Sequence, residues 1–307
     1  MNFFTPKNYY HNFFTPKDKQ YPKLLKKIGK NAPKKLYYKG TWNEEIFRNC
    51  LAVVGSRQMT IYGKQVVEKI VTEITAAGIT IVSGFMYGID AASHKAVLKV
   101  GGKTIAVMPC GIDLIHPEYQ KDLYNEILNN NGLIISEYEG KMEPANWTYP
   151  QRNRIVAGLS AATLIIEAGE KSGSLITANL AKKFKRKLFV VPGPITSENS
   201  KGIMQLIKQG ATPIAYAKDI LDFYYINQPT HKSIFIGENL GKDRQNEKTD
   251  CLEKKIIEKL KNEPLNIDDL ARILEIPASQ IGVVLSMMEL RNLIYQEGVK
   301  YYLYQQT

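Results

Sequence analysis

Five short stretches of this 307-residue chain put small residues with free backbone amides beside helix starts: Gly55-Ser56-Arg57, Ser83–Asp90, Tyr149–Arg154, Glu167–Ser174 and Pro192-Gly193. Glycine lets a backbone approach an anion closely, and a helix N-terminus presents unpaired N–H groups to it. Arg57, Arg152 and Arg154 add planar guanidinium forks suited to phosphate. One such turn is common in any βα fold; five, with three arginines, predict a groove that tracks a phosphate backbone. The expected contact residues are Gly55, Ser56, Arg57, Ser83, Gly84, Gly88, Arg152, Asn153, Arg154, Ser172, Gly173 and Ser174.

Other chemistry is less well supported. Asp90 and His94 are spaced i, i+4 and could form an acid–base pair, or a hydrogen bond that orients the loop; we favour the second. Glu167 stands at an expected strand end without a partner carboxylate, and an acceptor role for loop amides suits it as well as catalysis does. Thr177 is taken as a further loop-ordering residue. Gly101-Gly102-Lys103-Thr104 lacks the leading glycine of a P-loop, and Gly173–Thr177 lacks the closing glycine of a nucleophile elbow. Four histidines and three cysteines (Cys50, Cys110, Cys251) show no ligand spacing. No catalytic residue, cofactor or metal is therefore expected.

The elements that must position these residues are legible between 50 and 225. Apolar runs fall at Leu51–Val54, Ile79–Val82, Thr104–Met108, Leu133–Ile135, Thr163–Ile166, Leu188–Val191 and Pro213–Tyr216. Helix-period segments lie between most of them: Lys64–Ala77, Ala91–Val100, Pro117–Asn129, Ser174–Lys185 and Gly202–Gln209. Short apolar strands alternating with helices predict an α/β fold, a doubly wound, mostly parallel Rossmann-like sheet covered on both faces. Ligands of such sheets sit beyond the carboxyl ends of the strands, where the glycine-bearing stretches fall.

Residues 1–49 read as a basic arm and lead-in segment. Asn2–Lys7 and Asn12–Lys17 both read NFFTPK, expected to be a loosely ordered terminus. Residues 21–49 predict a short helix, a proline turn and one strand. Residues 226–249 read as a polar linker. Residues 250–307 give three amphipathic segments and an extended pair about Gly298, the pattern of a winged helix.

The net charge is +11: residues 1–50 hold a net +8, 51–225 a net +4, 226–249 a net +1 and 250–307 a net −2. A basic chain suits a polyanionic partner, though solubility alone would also explain it. The acidic C-terminal piece, whose third helix carries Met287, Met288 and Glu289, reads as a protein-contact module before a duplex reader. No apolar run is long enough to cross a membrane. The polar N-terminus does not read as a secretory signal, and scattered cysteines suit a reducing compartment, so a cytoplasmic protein is expected.

In Gly55-Ser56-Arg57, in SGxxxGID at Ser83–Asp90 with His94, in RNRIVAGLS at Arg152–Ser160, and in the Glu167–Thr177 segment, the chain resembles the DprA/Smf family of DNA-processing proteins. Val191-Pro192-Gly193 and the later Gly202, Leu206, Ile207, Gly210 and Ala211 fit as well. The resemblance covers about residues 33–220, and the C-terminal piece is similar to the winged helix many members carry. It implies a domain that binds single-stranded DNA, forms a homodimer and loads a RecA-type recombinase during natural transformation, without being an enzyme. The chain departs from the family at Gln151, where a basic residue is usual, at Phe85, Met86 and Tyr87 inside SGxxxGID, and at Met204. The N-terminal domain of many members is absent or reduced to residues 1–49. The alternative is a nucleotide sensor or a nucleoside-monophosphate-cleaving enzyme of a related Rossmann-like family. The PGGxGT loop of those hydrolases is replaced here by Pro192-Gly193-Pro194-Ile195.

Overall fold

The computed structural model describes residues 12–226 and, apart from 262, 275, 291 and 292, residues 246–303. The chain divides into two compact units, Met1–Thr230 and His231–Thr307.

The expected apolar runs form the centre of the first unit as β3 (Cys50–Val54), β4 (Thr80–Ser83), β5 (Thr104–Val107), β6 (Leu133–Ser136), β7 (Ala162–Ile165) and β8 (Lys187–Val190). All six pair in parallel, in the order β6-β5-β4-β3-β7-β8, and the short β9 (Thr212–Pro213) extends the sheet beyond β8. Every residue of β3–β7 is buried. This explains why these strands read as unbroken apolar runs. Alternation sorts their side chains between the faces: Ala52 and Val54 join one core with Leu25, Ile155 and Ala178, while Leu51 and Val53 join another with Val67, Ile74 and Val97.

The covering helices are α1 (Lys23–Lys26), α2 (Ile61–Val66), α3 (Thr72–Ala76), α4 (Ile89–Lys99), α5 (Lys121–Asn129), α6 (Thr148–Leu159), α7 (Ser174–Lys183), α8 (Glu198–Lys208) and α9 (Ala217–Ile226). A π turn at Val67–Val71 joins α2 to α3 and buries Val67, Ile70 and Val71. Two elements depart from the sequence reading. Tyr149–Arg154, expected as a loop, is the first half of α6, and residues 217–226, for which no element was expected, form α9.

Before residue 50 the expected short helix is α1 and the expected strand is Leu36–Gly40; the difference lies at the second NFFTPK copy. Two antiparallel strands, β1 (Phe13–Phe14) and β2 (Leu36–Gly40), extend the sheet beyond β6. The lead-in thus belongs to the sheet, and the second NFFTPK copy is an edge strand, not a loose arm. Aromatic packing holds it: Phe14 stacks on Tyr38 at 5.5 Å and lies 4.7 Å from Trp42, and Phe13 lies 5.3 Å from Tyr37. Asp18 closes the following turn, accepting the Thr15 N–H at 2.6 Å and its hydroxyl at 2.8 Å. A two-residue strand is too short to show a period. The first NFFTPK copy and most of the linker lie outside the described residues.

In the second unit, α10 (Asn246–Leu260), α11 (Ile267–Leu274) and α12 (Ala278–Leu290) are followed by a hairpin of β10 (Ile294–Glu297) and β11 (Lys300–Leu303). Helix α10 begins inside the expected linker. Asn266 caps α11 by accepting the Asp269 N–H at 2.8 Å, as its sequence suggested. Leu252, Ile256, Leu270, Ile281, Leu285, Met288 and Ile294 form the core, which accounts for the apolar third helix. This is a winged-helix arrangement. Among the described residues no helix is long and apolar enough to cross a membrane.

Candidate nucleic-acid interface

Strand order reverses between β3 and β7: β4, β5 and β6 follow on one side, β8 and β9 on the other. A doubly wound sheet opens its crevice at this point, beyond the carboxyl ends. The segments leaving β3, β4 and β7 carry Gly55–Thr60, Gly84–Gly88 and Ile166–Gly173 there, and α6 packs among them.

The floor of the crevice is buried and tied together. Ser83 donates its hydroxyl to the Val53 carbonyl at 2.6 Å, linking β4 to β3. The Ser56 carbonyl accepts the Ile89 N–H at 3.2 Å, and its hydroxyl accepts the Gln58 N–H at 3.0 Å. Asn199 of α8 holds the same loop by donating to the Gln58 carbonyl at 2.8 Å. Gly88 has φ 80°, and a Cβ there would run into the carbonyl oxygens of Ser56 and Arg57. A Cβ on Gly84 would lie 2.6 Å from both Arg152 Nη1 and Asp90 Oδ2. These two glycines are required by fit against the protein's own atoms.

Two of the three arginines expected to contact phosphate are used inside the protein. Arg152 is 3% exposed, and its Nη1 donates to the carbonyls of Gly84 and Val107, at the ends of β4 and β5. Arg154 is ion-paired with Glu137 at 2.5 Å and donates to the Asn31 carbonyl at 2.6 Å. Asn153 points to the Gly173 carbonyl at 3.5 Å. The sequence reading placed this stretch in a loop; on a helix packed against the sheet, Arg152 turns into the core and Arg154 toward Glu137 and the Asn31 carbonyl. Burial raises the Asp90 carboxyl, opposed by the nearby Arg152 charge. Burial likewise lowers Arg152 to about 10, leaving it cationic at neutral pH.

The loop-ordering assignments divide. Asp90 Oδ2 accepts the Met86 N–H at 3.4 Å, and so steadies the SGxxxGID turn. Glu167 accepts both the Thr60 N–H at 3.0 Å and the Thr60 hydroxyl at 2.5 Å. Thr60 in turn caps α2 by accepting the Gly63 N–H at 3.1 Å. Thr177 is buried on α7. His94 does not reach for Asp90. Its Nδ1 lies 2.7 Å from the Thr104 hydroxyl, whose proton goes to the Ile81 carbonyl at 2.9 Å. His94 Nδ1 is therefore the donor, and Nε2 carries the lone pair. The residue ties α4 to the sheet, and burial pulls its pKa down to about 3.

The lip of the crevice is exposed. Arg57 is solvent-exposed, with its guanidinium 5.7 Å from the ring centre of Tyr87 and 5.2 Å from that of Tyr149. Tyr87 is 44% exposed. His116 Nε2 holds the Tyr149 hydroxyl at 2.8 Å, and burial lowers the His116 pKa against the opposing pull of Glu143. Gly173 is exposed at the start of α7, beside the hydroxyls of Ser172 and Ser174, which bond each other at 2.7 Å. Sequence reasoning missed His116, which carried no spacing signal, and Trp147, which stands at the N-cap of a helix that had not been expected. Among the described residues no His/Cys/Asp/Glu group is arranged to hold a metal ion.

The profile of the DNA recombination-mediator protein A family matches residues 12–225, and that of the DprA winged helix domain matches residues 241–298. Protein Smf of Synechocystis is 33% identical over 94% of this chain and 79% of its own length. DNA processing protein DprA of Bacillus subtilis is 39% identical over 66% of this chain and 68% of its own. The solved DNA processing protein A of Streptococcus pneumoniae aligns with TM-score 0.65 at 38% identity, covering 70% of this chain and 74% of that one. That of Helicobacter pylori, described for its single-stranded DNA binding mode, aligns with TM-score 0.62 at 32% identity over 71% of this chain and 97% of that one. With motifs, fold and winged helix in agreement, the chain belongs to the DNA recombination-mediator protein A (DprA/Smf) family.

Proposed function

We propose that this protein binds single-stranded DNA in the crevice and acts as a mediator of recombination, in the cytoplasm, during DNA uptake. The observation that carries the reading is Arg57, an exposed cation lodged between the faces of Tyr87 and Tyr149 at the mouth of the crevice. A guanidinium for phosphate beside rings for bases is the combination that holds single strands without reading sequence. The loop amides about Gly55, Ser56, Gly88, Ser172, Gly173 and Ser174 would add contacts along the backbone. Arg152, Asp90 and Glu167 would shape these loops from below, and Arg154 and Asn153 would hold α6 in place.

The names of the relatives, as DNA processing proteins, support the same reading; assembly as a homodimer and delivery of DNA to a RecA-type recombinase are part of the proposal. Binding is proposed without chemical conversion, because both oxygens of Glu167, the acid best placed for catalysis, are engaged by Thr60. The winged helix would serve protein contact, in keeping with the net −2 of residues 250–307. A salt-titrated binding assay with single-stranded DNA, blunt duplex and mononucleotides tests the reading. Preference for the single strand by a clear margin is expected; equal affinity for duplex of the same length would overturn it.

A further inference from the structure

We propose that an open basic cavity beside α6, formed by the segment before β2 and the segment after β6, is a second contact site for the same DNA strand, extending the crevice path. The proposal rests on the single-strand reading of the crevice. The cavity holds about 570 Å³, within the range of ligand sites, and is lined by Lys30, Lys34, Lys35, Tyr37, Tyr138 and Gln151 among others. Its acids are already engaged: Glu137 pairs with Arg154 at 2.5 Å, and Glu139 accepts the Tyr37 hydroxyl at 3.1 Å. Lys35 lies 4.6 Å from the Phe13 ring centre. Lys30 and Lys34 are exposed, and among the described residues neither has a carboxylate within ion-pairing distance.

The start of α6 joins this cavity to the crevice. Tyr149 lies under Arg57, while Gln151, two residues on, lines the cavity. Trp147, one helical turn before Gln151, is 55% exposed and edge-on to the cavity-lining Tyr138, with ring centres 6.0 Å apart. A strand running from Arg57 to the cavity would find there an exposed indole and lysines that, among the described residues, have no carboxylate partner. Alternating cations and exposed rings fit single-stranded nucleic acid better than an acidic peptide, which has no use for the rings.

The test compares the full-length Lys30→Gln/Lys34→Gln variant with the parent protein on oligothymidylates of about 4 and about 15 nucleotides. Both lysines are exposed, so the fold should persist, and an unchanged thermal midpoint would verify that. The pair should lose roughly 5- to 10-fold in affinity for the long oligomer, with a salt slope smaller by up to about 1.4, and less than about twofold for the short one. Trp147→Ala should show the same length dependence. Arg57→Ala should weaken both oligomers. If the lysine pair and Trp147→Ala leave the long oligomer unaffected while Arg57→Ala weakens it, the second site is wrong and the crevice stands. Equal losses on both lengths would reduce the lysines to a general field and also overturn the extension. If Arg57→Ala has no effect on either length, the single-strand reading itself fails.

Discussion

The crevice has a floor and a lip, and each holds an arginine. On the floor, Arg152 is enclosed by Gly84, Val107 and Asp90, and its charge holds the ends of β4 and β5. On the lip, the exposed guanidinium of Arg57 lies over the rings of Tyr87 and Tyr149. The same side chain serves the fold in one place and is free for a ligand in the other. Residue type and motif membership do not separate these roles; the number of protein partners does. A donor already satisfied by carbonyls cannot turn to a phosphate without leaving those carbonyls unpaired in the interior.

This contrast can be broken first at Arg152. Arg152→Ala should cost on the order of 3–5 kcal/mol of stability, because it leaves Asp90 without its neighbouring cation and the Gly84 and Val107 carbonyls without a donor. Denaturant unfolding reads this directly. A variant of parental stability that merely lost DNA affinity would move Arg152 from the floor to the lip.

Arg57→Ala should do the reverse. Affinity for single-stranded DNA should fall by about 1.5–3 kcal/mol, the range of a charge-assisted contact, while the thermal midpoint barely moves. The log–log salt slope should shrink by roughly 0.7–1.4 for one or two lost contacts. Arg57→Lys should recover part of the affinity, since a point charge replaces the fork incompletely. Unchanged affinity and slope would remove Arg57 from the interface.

His94 sharpens the floor through pH. An unfolded imidazole titrates near 6.5, whereas burial holds His94 at about 3. Between these values the unfolded chain takes up a proton that the folded chain refuses. The stability tied to His94 is therefore complete above about pH 6.5 and is lost on acidification, by about 1.4 kcal/mol per pH unit. Asp90, whose carboxyl is raised, works in the opposite sense below neutrality. In His94→Gln the loss between pH 7 and pH 5 should be visibly smaller than in the parent protein; identical slopes would refute the assignment.

The smallest effect is expected at the lip. Protonating His116 places a further positive charge beside Tyr149, so DNA affinity should rise modestly as pH falls through its lowered pKa. His116→Gln should abolish the pH dependence while changing affinity at pH 8 by less than about 1 kcal/mol. A pH profile that survives the substitution would assign it to another group.

Much of the sheet was legible because its strands are buried on both faces, and burial writes itself into sequence as short apolar runs between glycines. The cap at Asn266 was legible too, since it depends on a neighbour three residues on, whereas the role of Glu167 stayed open because its partner Thr60 lies 107 residues away in another loop. Strand β1 was not, because two residues hold no period and its place depends on Tyr37, Tyr38 and Trp42, more than twenty residues away in the chain. Helix α6 was hidden by Pro150 and by arginines that resemble surface charge.

Residue types and spacing alone determined that small residues, amides and guanidinium groups would gather at the carboxyl edge of a parallel sheet. Tertiary structure alone decided which of them face outward. Arg57 follows a strand and emerges at the lip, whereas Arg152 and Arg154 lie on a helix whose packing turns them toward carbonyls and Glu137. The availability of a donor is a property of its surroundings, and those are assembled from distant parts of the chain.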